Sequence, residues 1–270
     1  MKVKMVRLIL VHILLLTFLV SNAQKDTTRY SRTTAITSIV DIEDIRSDRT
    51  DYMNNRFEGH WGGVLIGFSN MWSSDYSNCP EEQKGFMDME MPQSFSVFIQ
   101  PLEFNFRLQR YRNTIGLVSG LGIEFQNYRL NKNVTIEKGE FNKITPVYLN
   151  DYEKNIKSKI AFTYLNVPLL LEFQIPLNHK KNRLFFSAGL VGKFRIHTHT
   201  KVKYEVNGGK KESKKGYGSF YFNDFQTCYH VRLGYRFVQL FAEVNAYSIF
   251  QSNKGPDIRP VSVGISLMSW

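Results

Sequence analysis

The sequence predicts an all-β chain: an eight-stranded antiparallel up-and-down transmembrane β-barrel with a polar lumen, long extracellular loops and short periplasmic turns. Three observations lead there. Apolar and polar residues alternate with period two in segment after segment beyond residue 60. The connections between those segments alternate long and short, as in barrels of the outer membrane. An export signal stands ahead of them.

Composition sets the bounds. Of 270 residues, 43% are hydrophobic and 22% charged, which excludes both a disordered chain and a bundle of membrane helices. Phe and Tyr, with 21 and 14 residues, supply the bulky aromatics that favour strands. Two cysteines without CxxC or Cys/His spacing suggest neither a disulfide framework nor zinc. Both Cys79 and Cys228 are expected to be free.

Residues 1–23 read as a cleaved signal peptide. Lys2, Lys4 and Arg7 form a basic head, and the run LILVHILLLTFLV is shorter than the ~20 residues of a spanning helix. Ser21-Asn22-Ala23 then supplies the small residues that signal peptidase reads. Residues 24–58 are polar, with the mixed cluster DIEDIRSDRTD, and are expected to form a loosely ordered periplasmic segment. One short helix or edge strand around Ala35–Ile45 is compatible with that reading. The barrel is assigned to residues 59–270.

Strands are expected at 60–70, 94–108, 114–129, 159–176, 183–199, 218–235, 238–250 and 258–270. In TIGLVSGLGIEFQNYR, Ile115, Leu117, Leu121, Ile123 and Phe125 share one parity; Gly116, Gly120, Gly122, Glu124, Gln126 and Tyr128 share the other. YLNVPLLLEFQIP repeats the rule, with Leu165 to Ile175 opposing Tyr164, Asn166, Glu172 and Gln174. Connections at 71–92, 130–158, 200–217 and 251–257 are long; QRYRN, LNHKKN and the turn near Arg236-Phe237 are short.

Alternation defines two faces without saying which is inside, and a soluble lipocalin-like barrel has the same period. The membrane reading is favoured by strands longer than the ~9–11 tilted residues a bilayer needs. A polar face mixing glycines with charges suits a crowded lumen. Aromatics near strand ends (Tyr111, Tyr128, Tyr217, Tyr221, Phe222, Tyr235, Tyr247, Phe250 and Trp270) suit an interfacial girdle.

YLNVPLLLEFQIP followed by LFFSAGLVGKF resembles the core of PorT-like outer-membrane β-barrel proteins of Bacteroidota. GLVSGLGIEFQNYR, LFAEVN and the Ser-x-Ala-Gln export site are similar to that family too. Tyr164, Pro168 and Leu169–Leu171 carry the sharpest match, within residues 60–270. The resemblance implies a barrel fold, an outer-membrane address and service to secretion assemblies, with no catalytic residue. One departure concerns Trp270, which shares parity with Met268 and Ser266 rather than with Leu267 and Ile265.

The charged residues on the polar parity are expected to meet inside. Glu103, Glu124, Glu172 and Glu243 should pair with Arg107, Arg232, Lys193 and Arg195, with His230 as an added donor, filling a narrow bore. Pro168 in mid-strand suggests a bulge, because proline lacks a ladder donor. His197 and His199 lie two apart near the rim with Asp224 beside them; solvated rim histidines are the simpler reading, a metal or catalytic pair the sharper one. No phosphate loop or nucleophile elbow occurs, so no cofactor is expected.

Lys201, Lys203, Lys210, Lys211, Lys214 and Lys215 crowd the third long connection. Lipopolysaccharide phosphate is the expected partner for lysines above a bilayer, and nucleic acid is not. The sequence therefore reads as a non-enzymatic outer-membrane barrel, structural or partner-binding in envelope assembly or secretion. A small-solute pore and a barrel hydrolase are the alternatives.

Overall fold

The computed structural model describes residues 57–109, 113–139, 143–149, 157–176, 183–206, 210–235 and 238–269. The signal peptide, the Ala35–Ile45 element, Tyr111 and Trp270 lie outside the described residues.

The strands are β1 (Gly63–Asp75), β2 (Phe95–Arg107), β3 (Ile115–Arg129), β4 (Val134–Lys138), β5 (Ile144–Tyr148), β6 (Lys157–Pro176), β7 (Arg183–Val206), β8 (Lys210–Tyr217), β9 (Phe225–Tyr235), β10 (Val238–Asn245) and β11 (Asp257–Ser269). Eight of them close a ring: β1, β2, β3, β6, β7, β9, β10 and β11, each antiparallel to the next, with β11 returning to β1. Closure leaves the ring itself without an unpaired edge, the condition for crossing lipid with strands.

The faces are inverted relative to a soluble barrel. Along β11, Val263, Ile265 and Leu267 are 55%, 46% and 63% exposed, while Ser262 is buried. Along β9, Tyr229, Val231 and Leu233 face out, and Cys228, His230 and Arg232 are buried. Apolar residues therefore form the outer wall, and polar residues interleaved with buried aromatics such as Phe98 and Phe241 fill the bore. The fold is that of an outer-membrane barrel.

Several boundaries shift. The connection expected at 200–217 is mostly strand, because β7 runs to Val206 and pairs with β8 in a hairpin rising from the wall. The next strand accordingly starts at Phe225 rather than 218. The 130–158 connection carries its own hairpin, β4 with β5, whose Val134, Ile136 and Ile144 turn inward. Phe57 and Glu58, assigned above to the N-terminal segment, already contact the barrel: Phe57 is buried inside it, and the carbonyl of the exposed Glu58 accepts from Gln174 Nε2.

Pro168 is not a bulge. The β6–β7 register runs unbroken through Val167–Gly192, Pro168–Val191 and Leu169–Leu190. On the other edge the β3–β6 pairing skips Val167 and Pro168, where the N–H is missing, and Ser119 Oγ donates to the Pro168 carbonyl at 2.9 Å. Register shifts fall elsewhere, between Ile99 and Leu102 on β2 and opposite Thr163/Tyr164 on β7. A further shift beside Leu267 sets Met268 opposite Val64, leaving it 61% exposed, so simple parity fails at the end of β11.

The aromatic girdle is also thinner than expected. Tyr217, Tyr235 and Tyr247 are exposed, whereas Tyr128, Phe222 and Phe250 are buried in an apolar cluster. That cluster seals the long-loop end. Phe86 and Met87 come from the first loop, Leu130, Val134 and Ile144 from the second, and Ile249 and Phe250 from the fourth.

Candidate functional site

The bore is occupied at three levels, of which the lowest was not foreseen. Before β1 begins, residues 57–62 lie within the short-turn end of the barrel. A chain with no sheet partner there must still satisfy its backbone. Glu103 accepts the N–H groups of Trp61 and Gly62 at 2.7 and 2.6 Å. Glu172 accepts the His60 N–H at 3.2 Å and meets its Nδ1 at 2.7 Å. Arg232 donates to the carbonyls of His60 and Trp61 at 2.6 and 3.0 Å, and to Gln100 Oε1 at 2.8 Å. The wall thus supplies carboxylates to the segment's donors and a guanidinium to its acceptors.

Ring contacts fix the same segment. His60 stacks on Phe185 with centroids 3.9 Å apart, and the Arg232 guanidinium lies 4.6 Å from the Trp61 ring. Space for these rings comes from glycines on the inner face. A Cβ at Gly116 would stand 2.3 Å from the Phe57 ring, and one at Gly120 would stand 2.8 Å from Trp61. Gly63, at φ 147°, turns the chain out of the bore and into β1.

Above lies a charged layer. Lys193 Nζ is 2.6 Å from Glu124 Oε2 and also contacts Glu243 Oε1. Asn166 donates to Glu124 at 2.9 Å, and Gln126 donates to its other oxygen. Glu243 Oε2 meets His230 Nδ1 at 3.1 Å, and Arg232 Nε donates to His230 Nε2 at 3.1 Å. Glu124, Lys193, Glu243, His230 and Arg232 therefore form one chain of contacts that ends on the inserted segment. The apolar loop cluster closes the third level.

The expected residues divide accordingly. Glu103, Glu124, Glu172, Lys193, His230, Arg232 and Glu243 face the interior, but Glu103 and Glu172 bind the inserted segment rather than arginines. Arg107 is exposed at the short-turn rim, where Nη1 donates to Asn113 Oδ1 at 3.4 Å, and Glu172, in the same register row, is engaged by His60 and Gln174 instead. Arg195 also leaves the network. It stays on the inner face opposite the buried Tyr164, just before the register shift of β7, but it turns to the long-loop end, where it pairs with Asp224 and donates to the Phe222 carbonyl at 3.2 Å.

Engaged by Arg195, Asp224 does not join the histidines. His197 and His199 stand on the outer wall with ring centroids 5.5 Å apart, each near Tyr217. Among the described residues, no three His, Cys, Asp or Glu side chains converge as a metal site. Cys79 and Cys228 are free. Of the basic residues in the third connection, Lys201 and Lys203 lie on β7, and Lys210, Lys211, Lys214 and Lys215 lie on β8.

Sequence reading missed His60, Trp61, Gly62 and Gly63. The available signal was the Gly-Gly pair after a tryptophan at the mouth of the first strand, a place where a chain reverses direction.

The family model described as "Outer membrane protein beta-barrel domain" matches residues 54–250. Similar solved structures include Ail, the attachment invasion locus protein of Yersinia pestis, bound to the heparin analogue sucrose octasulfate. It is 11% identical with a TM-score of 0.30, covering 77% of this chain and 98% of its own. A second structure of Ail is 12% identical with a TM-score of 0.28, covering 75% and 94%. No curated protein matches the chain in sequence.

Proposed function

The chain belongs to the outer membrane protein beta-barrel domain family, and from that membership we propose that it is a closed, non-catalytic barrel that holds partners in envelope assembly or secretion. The reading is of the PorT-like kind. The observation that carries it is the occupied bore: segment 57–62, the Glu124–Lys193–Glu243 layer and the apolar loop cluster follow one another along the axis. A barrel filled in this way offers its outer wall, loops and N-terminal segment to other molecules. Among the loops, an open cleft of about 460 Å³ beside Cys79, Lys143 and Lys254 is one such surface.

Residues 1–23 are proposed as the cleaved export signal, and the polar segment assigned to residues 24–58 as periplasmic up to the residues that enter the bore. Outer-leaflet lipid phosphate is the small partner proposed for the lysines of β7 and β8. The pore alternative is disfavoured by the occupied interior. The hydrolase alternative is disfavoured by the Asp224–Arg195 pairing, which removes the acid from His197 and His199.

Affinity purification of the detergent-solubilised full chain from outer membranes tests the role. Specific envelope proteins should co-purify in fixed ratio, and planar-bilayer recordings of the same material should show no steady conductance. A stable open conductance would establish the pore. Loss of a lipid- or peptide-cleaving activity on His197→Ala would establish the hydrolase.

A further inference from the structure

We propose that the outer wall of β3, β6, β7 and β8 carries a cationic ladder that binds the phosphorylated headgroup of an outer-leaflet lipid. It rests on the lipid contact proposed above and extends it from the lysines of β7 and β8 onto β6 and β3.

The ladder follows from register. Arg129 stands opposite Lys159, Lys159 opposite Lys201, and Lys201 opposite Lys215. One row higher, Lys157 stands opposite Lys203. The alternating neighbours Tyr128, Ser158, Ile160, Thr200 and Val202 are buried, so the cations lie on the outside. Four cations in one row on adjacent strands are an unfavourable arrangement, because like charges placed directly across a sheet repel. Lys201, Lys203 and Lys215 all bear electrostatically on Lys159.

Glu90 pairs with Arg129 at 2.9 Å. Glu205 lies further up β7, opposite Lys211. Lys159 is held by a neutral group, Asn127 Oδ1, at 2.8 Å. An open cleft of about 390 Å³ runs over the strands here and is lined by Arg129, Lys157, Lys159, Lys201 and Lys203. Multivalent anion is the chemistry that such a cleft accepts.

Position selects the source of the anion. Two rows below Arg129 and Lys159 on the same wall come Phe125 and Thr163, and Phe125 is 40% exposed. Below Phe125 is Ile123, 37% exposed. The ladder therefore sits directly above the lipid-facing belt, at the height of a lipid's phosphates when its acyl chains lie against that belt. Each interfacial lysine contributes about fivefold to binding an anionic membrane lipid.

The test uses the full chain folded in neutral detergent, with bisphosphorylated lipid A, dephosphorylated lipid A and inorganic pyrophosphate as probes. Lipid A with its phosphates should bind saturably, and the dephosphorylated form and free pyrophosphate should bind far more weakly. The triple variant Lys159→Gln/Lys201→Gln/Lys203→Gln should lose affinity by roughly two orders of magnitude. Lys84→Gln, in the first loop, should not change it. The triple variant should also be at least as heat-resistant as the unmutated barrel when no lipid is added, because its removed charges repelled one another. If it does not fold, Lys201→Glu alone should show the loss. Equal binding by the variant or by dephosphorylated lipid A would overturn the ladder. Pyrophosphate binding as tight as lipid A would overturn the lipid source. A loss seen with Lys214→Gln but not with the triple variant would overturn the ladder and assign the contact to the other face of β8.

Discussion

Lys193 places its Nζ 2.6 Å from Glu124 Oε2 in the middle of the barrel, with neither side chain exposed to solvent. The same ammonium reaches Glu243, so one cation from β7 ties β3 to β10 across the bore. Its removal would leave two buried carboxylates without their counter-charge. Lys193→Met should therefore destabilise the folded barrel by roughly 3–5 kcal/mol, measured by denaturant unfolding in detergent. Adding Glu124→Gln and Glu243→Gln should recover most of the loss. An unchanged unfolding midpoint for Lys193→Met would show that the layer contributes nothing to stability.

Glu172 is coupled to the inserted segment through His60 and to its own strand through Gln174. Glu172→Ala should cost roughly 3–5 kcal/mol if those donors are left buried and unpaired. Combined with Glu103→Ala, it should free residues 57–62 from the bore. Chymotrypsin cleavage at Trp61 in the folded protein reports the release. Resistance equal to that of the unmutated barrel would mean that packing alone retains the segment.

Gly116 and Gly120 leave the volume into which Phe57 and Trp61 fit. Gly116→Leu should expel the Phe57 ring while leaving the wall paired. The expected signs are a barrel that still shifts mobility on boiling, together with faster cleavage at Trp61. A variant that no longer folds would assign Gly116 to strand packing; in that event Phe57→Ala, which empties the site without overpacking, should give the faster cleavage by itself.

The unmutated barrel should pass no ions, because each level of the bore is filled. The variants that release the segment still retain the Lys193 layer and the apolar loop cluster, so they should stay non-conducting as well. Conductance appearing in Glu103→Ala/Glu172→Ala would place the seal at the segment and not at the layer above.

Cys79 lies in the first long loop, partly buried, and that burial pushes its thiol up; Asp75 adds to the rise, and Lys143 opposes it. A raised thiol holds less thiolate at neutral pH, so alkylation near pH 7.5 should be slower than for an unperturbed cysteine of pKa about 8.5. The rate should keep climbing at pH values where a free cysteine has levelled off. Cys228, fully buried on β9, should react only on unfolding. Mass mapping of the labelled sites against pH checks both.

Much of the wall was legible because strand periodicity is local. Leu121, Ile123 and Phe125 alternate with Gly122, Glu124 and Gln126 whatever the rest of the chain does, and the connection lengths place the two rims. Parity reasoning fails where a register shift intervenes, as it does for His197, which shares parity with Lys193 yet stands on the outer wall, and for Met268. An extra residue in one strand reverses every facing beyond it, and nothing in the local pattern of β7 or β11 marks the place.

By itself, then, the chain determined strand number, the two faces and which charges share the polar one. That apolar residues lie outward, and which charges meet, was decided only by closure of the ring. Arg232 holds the carbonyls of His60 and Trp61, 172 and 171 residues away in sequence. Such partners are set by the stagger of the whole barrel, which is a property of all its registers at once. Segment 57–62 depends on the same stagger: its backbone could leave water only where Glu103, Glu172 and Arg232, from three separate strands, arrive at one level to satisfy it.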